Sequence, residues 1–239
     1  MKLKKIASLM LAGVMAASML AGCSTTGTVT PDQPSTPATS VSANVDALVN
    51  QPAYVTFADS TELDAALKDA VEYAGVMDVM PDYVNTDVLI GVAPDVSAVL
   101  DNEVGVTTMS NGTLINLWNI GQASTLLDAE QQDSYTIPDA VAAQMYVVSS
   151  TIGQKAIEQQ IATILNAIPA YQYSVGSTDG STTEDGGNYN HTYTVSISTC
   201  TKTVNSSISG SAWGFEGAAN PSVTFVAVQV VRTSTHQGA

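Results

Sequence analysis

Few side chains in this sequence carry the chemistry of a nucleophile or a soft metal ligand. Cys23, Cys200, His191 and His236 are all of its cysteines and histidines. A thiol beside an imidazole is the first arrangement to weigh, because the base converts the thiol into a nucleophile. Cys200 and His191 share one alternating stretch, His191-Thr-Tyr-Thr-Val-Ser-Ile-Ser-Thr199 and the cysteine after it. That placement works against the pair: nine residues of strand cover about 30 Å, and an odd offset puts the side chains on opposite faces. His236 would reach Cys200 only by folding back from the C-terminal tail. No Gly-x-Ser-x-Gly elbow and no Ser-x-x-Lys occurs. Two distant histidines and one cysteine are too few for a structural zinc site without carboxylates, and neither H-E-x-x-H nor C-x-x-C is present. No catalytic residue, metal or cofactor is assigned on these grounds.

Hard cations need only oxygen, and one loop offers it. Asp179-Gly-Ser-Thr-Thr-Glu184-Asp185-Gly-Gly-Asn188-Tyr189-Asn190 places Asp179, Asp185 and Asn188 in a spaced pattern. Against a calcium-binding EF loop it fails twice: Glu184 stands where the sharp-turn glycine belongs, and Asn190 where a bidentate Glu is needed. Gly and Asn beside Asp also mark turns, so a hairpin loop is the preferred reading and a weak calcium site the alternative. Paired carboxylates for acid–base work cannot be picked out, because 22 acidic residues bring some pair together in any fold. Aromatic residues gather in the last third: Tyr171, Tyr173, Tyr189, Tyr193, Trp213 and Phe215. An exposed set, Tyr189 and Trp213 first, would stack on a sugar or dock a protein. In the plainer reading Tyr193 and Phe225 face the core and Trp213 closes a long loop.

The first 23 residues, MKLKKIASLMLAGVMAASMLAGC, have a basic start and an apolar run from Ile6 to Leu20. As a helix that run reaches about 22 Å, short of the roughly 20 residues that span a bilayer, and its build is that of a secretory signal. Its ending, Leu20-Ala21-Gly22-Cys23, resembles the lipobox of bacterial lipoproteins. The resemblance implies cleavage between Gly22 and Cys23 and a diacylglycerol thioether on Cys23, with the lipid bilayer as partner. Two or three acyl chains hold a soluble domain firmly where one does not. Ser24 after the cysteine is not a retention aspartate, so in a two-membrane cell the outer membrane is the expected destination. With Cys23 lipidated, only Cys200 remains, and the mature chain has no internal disulfide.

Removal of residues 1–22 takes Lys2, Lys4 and Lys5 and no acid. Lys68, Lys155, Lys202 and Arg232 then face 22 carboxylates, a formal charge of −18. Four scattered cations do not neutralise a phosphate backbone, which excludes nucleic acid as a partner. Residues 23–44 continue the anchor as a Ser/Thr/Pro-rich tether, about 25 Å long as a coil and about 65 Å if stretched. That exceeds the Debye length of about 8 Å, beyond which an anionic lipid surface no longer repels an acidic domain.

The elements that must position everything else lie in residues 45–239. Leu63, Ala66, Leu67, Ala70, Val71 and Ala74 form one helical stripe after Asp59, a candidate cap, and before Gly75. Ile157, Ile161, Ile164, Leu165 and Ile168 form a second, stopped by Pro169. Strand-like runs precede each, Tyr54–Phe57 and Met145–Val148; one long helix over 138–168 is the competing reading of the second region. Val88–Val92 is a short strand, and Val104–Met109 with Leu114–Trp118 flank the hairpin signal Ser110-Asn111-Gly112. Tyr171–Val175 and His191–Thr199 read as strands, and the continuously apolar Val223–Val231 reads as a central one. The expected class is therefore α+β: antiparallel sheet with two amphipathic helices on one face. Strand, helix and two further strands recur, so two similar halves, about 45–135 and 136–239, are a secondary expectation.

These features point to a membrane-anchored lipoprotein whose domain binds an extracellular ligand or envelope protein without catalysis. A cell-envelope hydrolase using unflagged carboxylates, and the substrate-binding component of a transporter, are the alternatives. The hairpin reading of 179–190 predicts that millimolar calcium leaves the melting temperature unchanged. A rise of several degrees on adding calcium would show a cation site there instead.

Overall fold

The computed structural model describes residues 40–76, 87–109, 112–120, 139–168, 181–184, 187–203 and 222–237. Its elements are α1 (Val41–Asp46), β1 (Val55–Phe57), α2 (Thr61–Val76), β2 (Ile90–Gly91), α3 (Pro94–Glu103) and β3 (Ala140–Ser149). After these come α4 (Gln154–Ala167), β4 (Ser181–Glu184), β5 (Gly187–Thr203) and β6 (Ser222–Gln237). The fold is α+β, built on one mixed, mostly antiparallel sheet in the order β1-β5-β6-β3-β2.

The apolar run at 223–231 occupies the centre of that sheet as expected. β6 pairs antiparallel with β5 from Thr203↔Ser222 to Asn188↔Gln237, and with β3 from Ser149↔Val223 to Ala140↔Arg232. Alternate residues serve opposite faces. Val226, Val228 and Val230 pack with Val45 of α1 and with Ile157, Ile161 and Leu165 of α4. Val223, Phe225 and Ala227 pack with Leu63, Leu67 and Val71 of α2 and with Val96 and Leu100 of α3. The two stripes read from sequence are therefore both buried, but against opposite faces of the sheet rather than one. The reason is that β6 is apolar on both sides, and each apolar face must be covered.

The outer edge of β5 carries two short strands end to end: β4 pairs antiparallel with 187–190, and β1 pairs parallel with Tyr193–Val195. On the other side, β2 joins β3 through Ile90↔Val147 and Gly91↔Tyr146. Strands of 45–135 and 136–239 thus share one sheet. The second stretch runs strand, helix, then strands, whereas the first inserts α3 after β2.

Local chemistry accounts for most boundaries. Ser60, not Asp59, caps α2, its Oγ accepting from the Leu63 N–H at 3.1 Å. Ser40 caps α1 in the same way, so α1 lies at the end of the stretch read as tether. There Ser42 Oγ accepts from the Ile197 N–H at 3.2 Å, and Asn44 Nδ2 donates to Glu158 Oε1 at 2.9 Å. Pro94 opens α3 at a first-turn position, and Gly105, with φ +68°, follows its last turn; both are standard punctuation for a helix. Met145–Val148 lies in β3, a strand begun at Ala140, and not in a helix over 138–168. Thr108 and Leu114 form a single bridge in place of two full strands, and Ser110 and Asn111 lie outside the described residues. Tyr171–Val175 lies outside the described residues.

Gly153 joins the short 3-10 turn Ser150–Ile152 to α4 with φ +77° and ψ 155°, a conformation almost confined to glycine. Nothing lies within 4 Å of where a Cβ would sit, so backbone strain alone sets the cost of a substitution. Gly153→Ala should destabilise the domain by about 1–3 kcal/mol, read from urea unfolding midpoints. An unchanged midpoint would show that the junction relaxes freely.

Candidate functional site

A cavity of about 240 Å³ opens at the β3 edge of the sheet, lined by Gly91, Val92, Ser97, Asp101, Ala143 and Gln144 among others. It exists because the strand pairing along this edge is interrupted. The Val92 N–H donates to the Met145 carbonyl at 3.3 Å, and the chain then turns into α3 at Pro94. Farther along, the Thr107 N–H donates to the Val141 carbonyl at 2.9 Å, and Thr107 Oγ1 accepts from the Val141 N–H at 2.9 Å. In an antiparallel ladder alternate residues direct N–H and C=O to the same side. With Val141 and Met145 bonded at the outer edge, Ala143 directs both its groups there too. No described residue on that side bonds to them. Ala143 therefore offers one donor and one acceptor to the cavity.

The cavity wall is polar on the α3 side. Asp101 and Ser97 both lie on α3, which covers the face that Ala143 packs toward. Burial raises the Asp101 carboxyl above its usual pKa, the response of a charged group deprived of water. On the opposite rim stand Ile115 and Asn116 with Leu114, which is 40% exposed.

A second polar cluster lies beneath the α1 and α4 face, where β5 and β6 run on past the apolar core. Cross-strand register brings His191 opposite Ser234 and Tyr193 opposite Arg232. Arg232 is completely buried, and its Nη1 donates to the Ile120 carbonyl at 3.4 Å. His191 Nδ1 lies 3.0 Å from Ser234 Oγ, and its Nε2 is buried with no hydrogen-bond partner among the described residues. Burial, and secondarily the Arg232 charge, push the imidazole from 6.5 down to about 4. The Tyr146 hydroxyl, on the same face, is also buried, which pushes it up to about 12.

Ser234, His191 and nearby Asp139 match the residue types of a hydrolytic triad, but not its wiring. The Asp139 carboxylate accepts from the Ser234 backbone N–H at 2.8 Å instead of from the imidazole. A triad carboxylate stabilises the imidazolium that forms as the serine loses its proton; Arg232 does the reverse. The pair is a structural contact within a buried cluster.

The sequence-derived candidates scatter. Cys200 packs with the α2 and α3 core and Tyr193 with the α1 and α4 core, on opposite faces, as the parity of β5 requires. His236 pairs with Tyr189 and Cys200 with Phe225, eleven residues apart along β6, so they do not meet. Tyr193 and Phe225 are buried as the core reading expects. Residues 181–184 and 187–190 pair antiparallel, with Asn188 in register with Thr183 and Tyr189 with Thr182. Cys23, Gly22, Asp179, Asp185 and Trp213 lie outside the described residues. Ala143, Asp101, Arg232 and Ser234 were not singled out from sequence. Only Arg232 carried a signal, a charge ending an apolar run.

Set against known proteins, the chain matches no family model, no curated protein and no solved structure.

The His191 geometry has a consequence for stability. Between about pH 6.5 and 4 the unfolded chain binds a proton that the folded one refuses, so stability falls as pH drops through that window. The loss attributable to His191 is up to about 3 kcal/mol. Arg232 faces the ring on the same sheet face, and Asp139 reaches it only through Ser234. Wild type should lose more stability between pH 7 and 4.5 than His191→Gln in urea titrations. Parallel pH profiles would show that the imidazole does not titrate abnormally.

Proposed function

We propose that this chain is a lipoprotein held on the outer face of a membrane through acylated Cys23, and that its folded domain is a binding module. The observation that carries the reading is the Leu20-Ala21-Gly22-Cys23 ending at the right distance behind a charged start and an apolar run. Among the described residues no helix is long and apolar enough to cross a membrane. The tether then frees the acidic domain from the anionic surface, and the edge cavity supplies a place for a ligand. In a cell with two membranes the serine after Cys23 favours the outer one.

The binding reading is preferred over an envelope hydrolase on electrostatic grounds. The serine–imidazole contact seen among the described residues is part-buried, with the Arg232 charge opposing an imidazolium there. The preferred module has no cofactor, and its partner is an extracellular ligand or envelope protein.

Cys23→Ser tests the anchor. Wild type should incorporate labelled palmitate and sediment with membranes; the variant should be unlabelled, and either uncleaved or released. Unchanged fractionation of the variant, or a native mass showing an unmodified thiol at Cys23, would overturn the proposal.

A further inference from the structure

The edge cavity is a gap of one step in a hydrogen-bonded ladder, and that shape specifies what fills it. Val141 and Met145 lie four residues apart, about 13 Å along the strand. Thr107 occupies one end of that interval and Val92 the other, leaving three positions of an extended chain, about 10 Å, of which only the central one, opposite Ala143, would bond to this edge. A through-running strand would collide with both ends. The occupant must therefore enter edge-on, as a chain end, a bend or a short peptide. One extended residue carries its N–H and C=O on the same side and meets Ala143 as a hydrogen-bonded pair. The volume agrees: about 240 Å³ is below the roughly 300–1,000 Å³ of pockets that enclose drug-sized ligands.

Register then dictates which side chain is recognised. Residues directly opposite in a ladder project to the same face. Ala143 packs toward the α2 and α3 face, so the occupant's side chain is directed toward α3. There the cavity is lined by Asp101 and Ser97, and no described ion pair engages Asp101. Partial burial already strains its carboxylate. A cation placed beside it would relieve that strain, whereas an anion would add to it. The net charge of −18 left after residue 22 draws cations from solution and repels anions.

Resting on the reading of this domain as a binding module, we infer that the β3-edge cavity binds a short peptide segment through the Ala143 backbone and seats a lysine-type ammonium against Asp101. Asp101 selects the side chain, and Ala143 recognises the amide. Main-chain pairing supplies affinity while a pocket for one side chain supplies specificity, as in strand-addition recognition generally.

The test is an NMR titration of the mature chain, residues 23–239, in detergent micelles. The probe is Nα-acetyl-lysine methylamide, one residue with both amides and the ammonium. Saturable shifts are expected at the Ala143 amide, with its hydrogen exchange slowed. The norleucine analogue, which keeps the shape and loses the charge, should bind about tenfold more weakly. Methylating the lysine Nα, which removes the donor to the Ala143 carbonyl and leaves the acceptor for its N–H, should weaken binding at Ala143 without any change to the protein. Asp101→Asn should erase the preference for lysine over norleucine while leaving the Ala143 response to either. Equal binding of the two probes by wild type would overturn the assignment to a cation. An unaffected Ala143 at millimolar probe, or an Ala143 amide already protected in a concentration-dependent dimer, would overturn the peptide site altogether. Because Cys23→Ser reads the anchor with no ligand present, a failed titration beside intact acylation overturns this inference and leaves the lipoprotein reading standing.

Discussion

The fold depends on β6 being apolar on both faces while hydrogen-bonded on both sides. From Val223 to Val230 every residue is buried, and the ladders to β5 and β3 occupy both edges of that segment. Neither helix layer covers the other's half of this apolar surface. Burying one large apolar side chain contributes roughly 1.5–3 kcal/mol, so leaving either face open would cost a large fraction of the total stability. The sheet is consequently sandwiched, with α1 and α4 on one face and α2 and α3 on the other. The same constraint explains why α1, only six residues long, is fastened by side-chain bonds from Ser42 and Asn44. A helix so short does not persist alone.

Polar chemistry appears where this apolar strip ends. Past Val230 the β6 face that served α4 continues into Arg232 and Ser234, and β5 supplies Tyr193 and His191 beside them. A fully buried guanidinium next to an imidazole is an unfavourable neighbour, and the ring responds by staying neutral. At neutral pH the ring in this cluster is therefore uncharged. At the other polar place, the β3 edge, the interesting atoms belong to the backbone. A short β2, a proline-started α3 and the 107–109 segment leave one rung of the ladder uncovered beside a half-buried carboxylate. Strand edges in proteins are normally protected against adventitious pairing, and here Thr107 bonds Val141 on one side of Ala143 and Val92 bonds the Met145 carbonyl on the other.

The two helices with long stripes, α2 and α4, were legible in the sequence because six and five apolar residues recur with the helical period. The alternating stretch at 191–199 and the continuous run at 223–231 were legible as strands for the same reason. α3 was not read, since Val96, Val99 and Leu100 make a stripe of only three, although Pro94 and Gly105 bracket it with start and stop signals. β3 was under-read because Ala140, Ala142 and Ala143 have helical rather than strand preference, and burial between two layers overrode that preference. Ser60 displaced Asp59 as the α2 cap by one position, a choice between equally suitable neighbours.

By itself the sequence determined the strongly acidic composition and the apolar periods that oblige α2, α4, β5 and β6 to form, and it carries the Leu20-Ala21-Gly22-Cys23 ending on which the proposed anchor rests. Those features are local, each written within a few turns or one strand of contiguous chain. Tertiary structure alone decided that the helices take opposite faces, that His191 meets Ser234 and Arg232 across some forty residues of chain, and that Ala143 stands at an unpaired rung. Register between distant strands sets all three, and register is a property of which partners meet rather than of any segment read in isolation. An alanine has no functional group to recognise in a sequence; its N–H and C=O become a binding surface only when its neighbours are paired and it is not.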